Sequence, residues 1–278
     1  MAATAQRCAR AVIEYDGTAF AGSQVQPNAR TVQGELEEAL NRLIGERTRV
    51  RLAGRTDAGV HATGQVAAFC VPRELPRGGG LPELRRRLNA ALPSDLAVRS
   101  LRAAPAGFDP RRDARWRVYR YRVLMNGSKR PLERYRTLEI DDGLDVGAMQ
   151  AAAARMLGER DFASLGSHAT GRTVRHLAEV SVRRSGDLVE IRVTANAFLR
   201  RMVRSLVALL VEVGKGRMAP EQVDELLMSP GRALHGRAVP ARGLTLERVT
   251  YESATNRTTT TTVPGRRRSK DRTGEQGT

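Results

Sequence analysis

Strand-like segments alternate with amphipathic helical segments along both halves of the 278-residue chain. In the first hundred residues the pattern predicts a strand, a helix, two strands, a helix and a strand. The clearest helix follows Thr31, where apolar residues recur at intervals of three and four positions until Gly45 ends the pattern. The second half shows a similar alternation, and its longest predicted helix covers residues 197–213. The sequence therefore predicts an α+β fold of two related subdomains, in which mixed or antiparallel sheets are flanked by helices.

Changes in composition divide the chain into four predicted parts. Residues 1–10 are expected to be a flexible lead-in, and residues 11–105 an N-terminal α/β subdomain. A C-terminal α/β subdomain is predicted at 106–251, where a Pro-Ala-Gly turn begins the second half. Residues 252–278 are low in complexity and rich in Thr and Arg, which predicts a disordered basic tail.

The chain is strongly basic. It has 47 Lys and Arg residues against 30 Asp and Glu residues, a net charge of +17. Such an excess predicts a polyanionic partner, with nucleic acid the leading candidate. No apolar run approaches the roughly 18 residues that a membrane-spanning helix needs, and the two cysteines and four scattered histidines lack metal-ligand spacing. We therefore expect a cytoplasmic, metal-independent protein that binds no membrane. Cys70 ends an apolar strand and is expected to be a buried small hydrophobe.

The segment from Gly54 to Ala62, GRTDAGVHA, is the strongest candidate for a functional loop. Its glycines allow a close approach of the backbone to a ligand, and they bracket one arginine and one carboxylate. Asp57 could act as a nucleophile or a base, and Arg55 could contact a phosphate or a base. The alternative is an Asx turn in which Asp57 accepts hydrogen bonds from loop amides and Arg55 is merely solvated.

Five sequence blocks in the same order resemble those of the TruA family of tRNA pseudouridine synthases, and together they extend from about Ala11 to Tyr251. The Asp57 segment resembles the family's signature, and the other four blocks are EYDGT…FAG…QPN…RTVQGELE from Glu14, RVYRY from Arg117, NAFLRRMVR from Asn196 and RGLTL from Arg242. The resemblance implies a pseudouridine synthase fold with a catalytic cleft between the two subdomains. It also implies a homodimer, with tRNA spanning both subunits.

The activity that this resemblance implies is the isomerisation of uridine to pseudouridine at positions 38, 39 and 40 in the anticodon stem-loop of tRNA. The family needs no metal and no organic cofactor. Asp57 would be the nucleophile, because a carboxylate can add to a carbon and later leave. Attack at C6 of uracil and attack at C1′ of the ribose both remain open. The target base must first leave its stack.

Four further residues take roles from the same resemblance. Arg204 would pair with Asp57, orient it and stabilise its ionised form; the alternative is a surface arginine beside a core helix. Tyr119 would stack on the flipped uracil, and its hydroxyl could help to move the C5 proton; the alternative is a core aromatic. Leu244 would line the uracil pocket, although core packing explains it equally well. Arg55 would assist base extrusion.

Some positions depart from the family pattern. Ser23 stands where the family usually has Trp, and Arg112 and Leu165 stand where aromatic residues are common. Arg200 and Arg201 replace a more usual aromatic or histidine pair, and Arg200 is expected to share a helix face with Arg204.

The remaining sequence interpretations concern three of the histidines and two rival functions. His61 is expected to be structural, whereas His168 and His176 lie in an Arg-rich segment that either contacts RNA or is a solvated face. Two rival functions remain at this level: a pseudouridine synthase with another RNA substrate, and a catalytically inactive RNA-binding protein on the same scaffold.

Overall fold

The computed structural model describes residues 6–72, 74–75, 78–125, 130–166, 171–228 and 238–251. The predicted tail at 252–278, His168 and His235 lie outside these ranges. Within them, no helix is both long and apolar enough to cross a membrane.

The described chain contains ten strands and five α-helices. The strands are β1 Gln6–Tyr15, β2 Arg51–Leu52, β3 His61–Pro72, β4 Leu96–Ala103, β5 Ala114–Leu124, β6 Leu138–Glu139, β7 Gly158–Asp161, β8 Val174–Ser185, β9 Leu188–Ala195 and β10 Leu244–Tyr251. The helices are α1 Val32–Ile44, α2 Gly80–Ala91, α3 Val146–Arg155, α4 Met202–Gly214 and α5 Gln222–Met228. The predicted element order of the first hundred residues is confirmed.

All ten strands belong to one sheet, whose main path runs β4-β1-β3-β10-β5-β9-β8-β7. Most neighbours are antiparallel, but β10 pairs with β3 in parallel and β6 pairs with β5 in parallel. The sheet is therefore mixed, and the predicted α+β class is confirmed. Because β10 comes from the end of the described chain and lies between β3 and β5, it joins the strands of the first half to those of the second.

Helix α1 illustrates how local sequence signals produce the predicted element. The Thr31 side chain accepts a hydrogen bond from the Gly34 amide and caps the first turn. Gly45 ends the helix in the left-handed conformation, with φ of 82°. Leu36 and Leu40 are fully buried, and burying each such side chain contributes about 1.5–3 kcal/mol.

Helix α4 begins at Met202, five residues later than the predicted start at 197. Arg201 has a positive φ of 62°, and this left-handed residue stops the helix from continuing backwards. Arg200 therefore lies before the helix, and the prediction that Arg200 and Arg204 share one helix face is wrong. Strand β1 also differs from the prediction: it begins at Gln6, so residues 6–10 belong to the sheet.

Cys8 and Cys70 lie opposite each other in the antiparallel pair formed by β1 and β3, and their sulfur atoms form a disulfide. Cys8 is exposed and Cys70 is half-buried. The prediction that Cys70 is a buried small hydrophobe is therefore wrong. The sequence could not reveal the pairing because it depends on the register of two strands separated by 62 positions.

Candidate active site

Asp57 lies in the loop that connects β2 to β3. The Val60 amide donates to the Asp57 carbonyl across 3.2 Å, and Gly59 has the positive φ of 78° that closes this turn. Among the described residues, the Asp57 carboxylate accepts a hydrogen bond from Arg204 and none from the loop amides. The Asx-turn alternative is therefore absent from the described loop.

A buried hydrogen-bond network holds the Asp57 loop at Thr56, the residue that precedes Asp57. The Ser23 hydroxyl accepts a hydrogen bond from the Thr56 amide at 2.8 Å, and the Ser23 amide donates one to the Thr56 carbonyl at 3.1 Å. The hydroxyls of Tyr15 and Thr56 hydrogen-bond across 2.9 Å. Sequence reasoning noted Ser23 only as a departure from the family pattern and missed this supporting contact.

Arg204 reaches Asp57 from the first turn of α4, although 147 positions separate the two residues. Its Nη1 lies 3.2 Å from Asp57 Oδ2, and its Nε donates to the Val239 carbonyl at 2.7 Å. The side chains of Arg204 and Asp57 are 17% and 32% exposed. The second contact fixes the guanidinium, while the carboxylate stays accessible to a ligand.

Tyr119 lies on β5 and is largely buried. Its ring meets Phe198 edge to face, with centroids 5.2 Å apart. Burial raises the pKa of Tyr119 well above its ordinary value, and the nearby Tyr15 and Asp57 add smaller upward effects against a lowering effect of Arg117. The phenol is therefore neutral near pH 7.

Tyr121 lies on the same strand face as Tyr119, but its surroundings differ. It is fully buried, and its hydroxyl donates to the Pro240 carbonyl at 2.8 Å. Among the described residues, no hydrogen bond is formed by the Tyr119 hydroxyl, whose oxygen would lie 4.0 Å from a Cβ added at Gly54, on the Asp57 loop. Of the two tyrosines, only Tyr119 therefore has a hydroxyl free for a ligand within the described structure.

The two other predicted site residues have contrasting environments. Leu244 is buried at the start of β10, opposite Tyr121 in the β5–β10 pair, and belongs to the hydrophobic core. Arg55 is exposed on the Asp57 loop, and no ion pair joins it to a described residue. The structure thus brings Asp57 and Arg204 into contact and leaves Arg55 open to solvent.

His61 has a structural position at the start of β3. The Gly17 amide donates to its Nδ1 at 3.1 Å, and its Nε2 lies 2.7 Å from the Tyr135 carbonyl and 3.0 Å from that of Arg242. Asp16 Oδ1 also lies 3.2 Å from Nδ1. The ring is buried and links the two halves of the chain, as expected for a structural histidine.

Comparisons with known proteins agree with these observations. A family model described as tRNA pseudouridine synthase matches residues 11–111 and 152–252. The protein named tRNA pseudouridine synthase A of Geobacter sulfurreducens is 41% identical over 247 residues, covering 88% of this chain and 100% of the relative. Its namesake in Myxococcus xanthus is 45% identical over 245 residues, covering 86% and 90%. The chain therefore belongs to the tRNA pseudouridine synthase family, whose members are isomerases.

Proposed function

We propose that this protein converts uridine to pseudouridine at positions 38, 39 and 40 in the anticodon stem-loop of tRNA, by covalent catalysis through Asp57 after the base has flipped out. The observation that carries the proposal is the contact between Asp57 and Arg204. It supplies an accessible carboxylate with a fixed cationic partner. Tyr119, on β5, supplies a neutral phenol with no hydrogen-bond partner among the described residues.

The proposed reaction is an isomerisation in which no atom is gained from a cofactor. The Asp57 carboxylate adds to the flipped nucleoside, at C6 of the base or at C1′ of the sugar, and the glycosidic bond to N1 breaks. Uracil then rotates in place and its C5 bonds to C1′. The C5 proton is lost, N1 takes up a proton and the carboxylate leaves, so that the product has the same composition as the uridine. The reaction uses no metal.

Each neighbouring side chain has a proposed role in this reaction. Arg204 holds the carboxylate in orientation through a charge-assisted hydrogen bond. Tyr119 stacks on the flipped uracil, and its hydroxyl helps to transfer the C5 proton. Leu244 forms an apolar wall of the uracil pocket. Arg55, exposed on the same loop as Asp57, stacks in the space that the base vacates and contacts phosphate.

The proposal extends to the organisation of the protein. The parts at 11–105 and 106–251 act as two subdomains, with the catalytic cleft between Asp57 of the first and Arg204 of the second. We expect a homodimer in which one tRNA contacts both subunits, located in the cytoplasm where its proposed substrate is found. Sedimentation of the protein with and without tRNA tests the dimer.

The decisive experiment measures pseudouridine formation on an unmodified tRNA with uridine at positions 38, 39 and 40. We expect product from the wild type, and a rate lower by more than about a thousandfold from Asp57→Asn, with tRNA affinity retained. Asp142→Asn is the matched control, because Asp142 is an exposed carboxylate paired with Lys215, and its activity should equal that of the wild type.

Two results would contradict the proposal in different ways. Tight tRNA binding without product from the wild type would indicate an inactive RNA-binding protein. Product at other uridines, or only on another RNA, would retain the chemistry and refute the proposed substrate.

A further inference from the structure

Arg117 is a buried arginine on β5, two residues before Tyr119 on the same strand face. The residue is only 9% exposed. Its guanidinium donates to four backbone carbonyls, those of Ala53, Arg111, Ala114 and Asn196. In the described part of the chain, no carboxylate forms an ion pair with it.

The four carbonyls belong to three segments that adjoin the site. Ala53 is the first residue of the loop that carries Asp57, and its carbonyl lies 3.3 Å from Arg117 Nη2. Asn196 begins the connection from β9 to α4, which contains Phe198 and leads to Arg204. Arg111 and Ala114 belong to the segment that enters β5. One side chain therefore connects the Asp57 loop to the segments that position its partners.

Burying an arginine without a carboxylate partner costs free energy. A buried cation without a carboxylate loses its hydration, and accordingly burial lowers the pKa of Arg117. An apolar side chain of similar volume would avoid this cost. What it could not supply is the planar fork of donors, which reaches several carbonyls at fixed directions.

We propose that Arg117 is a positioning residue: its fork holds the Asp57 loop against the β9–α4 connection, so that Asp57, Tyr119 and Arg204 keep the geometry required for reaction. This inference rests on the proposed function. Misplacement of reacting groups by about 1 Å can lower a rate by about a hundredfold, whereas RNA contacts elsewhere are unaffected.

The test compares Arg117→Lys and Arg117→Met with the control Arg120→Met. Arg120 lies on the same strand but on the opposite face, where it pairs with Glu190 at 2.9 Å and Glu247 at 3.0 Å. For each variant, the single-turnover rate at saturating tRNA, the Kd for tRNA and the Tm are measured on the full chain.

We expect both Arg117 variants to lower the single-turnover rate by about 30- to 100-fold, with Kd for tRNA changed by less than about threefold. Lysine should not rescue the rate, because it retains the charge and loses the fork. Arg120→Met should lower the Tm and leave the rate within about twofold of the wild type.

Three outcomes overturn the inference. The first is a wild-type rate in folded Arg117→Met. The second is a loss of rate that follows the loss of folded protein and disappears at lower temperature. The third is failure of both variants to fold, which would assign Arg117 to stability alone. Absence of product from the wild type itself would instead refute the proposed function, so the two failures are distinguishable.

Discussion

Ser23 and Ser205 are both completely buried, yet their hydroxyls have opposite surroundings. The Ser23 hydroxyl accepts the Thr56 amide at 2.8 Å. The Ser205 hydroxyl, on α4, has no hydrogen-bond partner in the described part of the chain. Replacing each serine by alanine removes the same atom, so the two variants should change the free energy of unfolding in opposite directions.

The expected magnitudes follow from these contacts. Ser23→Ala leaves the Thr56 amide buried without an acceptor, which costs about 1–3 kcal/mol. Ser205→Ala removes an unsatisfied hydroxyl and adds helix propensity, which should stabilise the protein by about 0.5–1.5 kcal/mol. For a domain of this size, 1 kcal/mol shifts the Tm by about 2–4 °C. Ser23→Ala should therefore lower the Tm by about 2–12 °C, and Ser205→Ala should raise it by about 1–6 °C.

Activity adds a second readout, because Thr56 immediately precedes Asp57. Ser23→Ala should lower the rate of pseudouridine formation by about tenfold through a looser Asp57 loop, whereas Ser205→Ala should retain the full rate. Calorimetry and the tRNA assay measure the two effects on the same preparations. Equal Tm changes for the two variants, or wild-type stability in Ser23→Ala, would refute the assignment of the hydrogen bonds.

Two further predictions concern the same region. A Cβ at Gly17 would lie 2.0 Å from the Val60 carbonyl oxygen, so Gly17→Ala should destabilise the protein by more than about 3 kcal/mol; Gly143→Ala, with open space around it, should be nearly neutral by urea denaturation. Burial raises the pKa of Tyr15 from 10.0 to about 12, so the folded protein keeps a proton that the unfolded chain loses. Its contribution, about 3 kcal/mol, is present below pH 10 and is lost between about pH 10 and pH 12. Tyr15→Phe should flatten this decline, and an unchanged slope would contradict the assigned burial.

Local signals explain why much of the fold could be predicted. In α1, for example, the Thr31 cap, the apolar spacing and Gly45 all act within one helix. Such signals need no knowledge of distant residues. The start of α4 could not be predicted because the sequence pattern is helical through 197–201, whereas residues 197–200 are not helical in the structure and Arg201 is left-handed.

The candidate site was predicted residue by residue from the family resemblance, and its supporting contacts were not. Alternation along β5 placed Tyr119 and Tyr121 on one face, but only the structure shows that the Tyr121 hydroxyl donates a hydrogen bond to the Pro240 carbonyl. Ser23 and Arg117 gave no signal of their supporting contacts, because a serine or an arginine that binds backbone carbonyls and amides has no sequence pattern. Their partners become neighbours only through the fold.

The pairing of β3 with β10 explains how residues from the two halves can form one site. Only two residue pairs join these strands, His61 with Thr245 and Leu246 with Ala62. Two close contacts flank this short pairing. His61 Nε2 contacts the Arg242 carbonyl, and the backbones approach so closely at Gly64 that an added Cβ would lie 2.1 Å from the Glu247 carbonyl oxygen. The strand β3 follows directly from the Asp57 loop, and β10 brings the second half of the chain beside β3. A register shift between β3 and β10 would therefore separate the Asp57 carboxylate from Arg204. The geometry of the site therefore depends on backbone packing at Gly64 as well as on the charged side chains themselves.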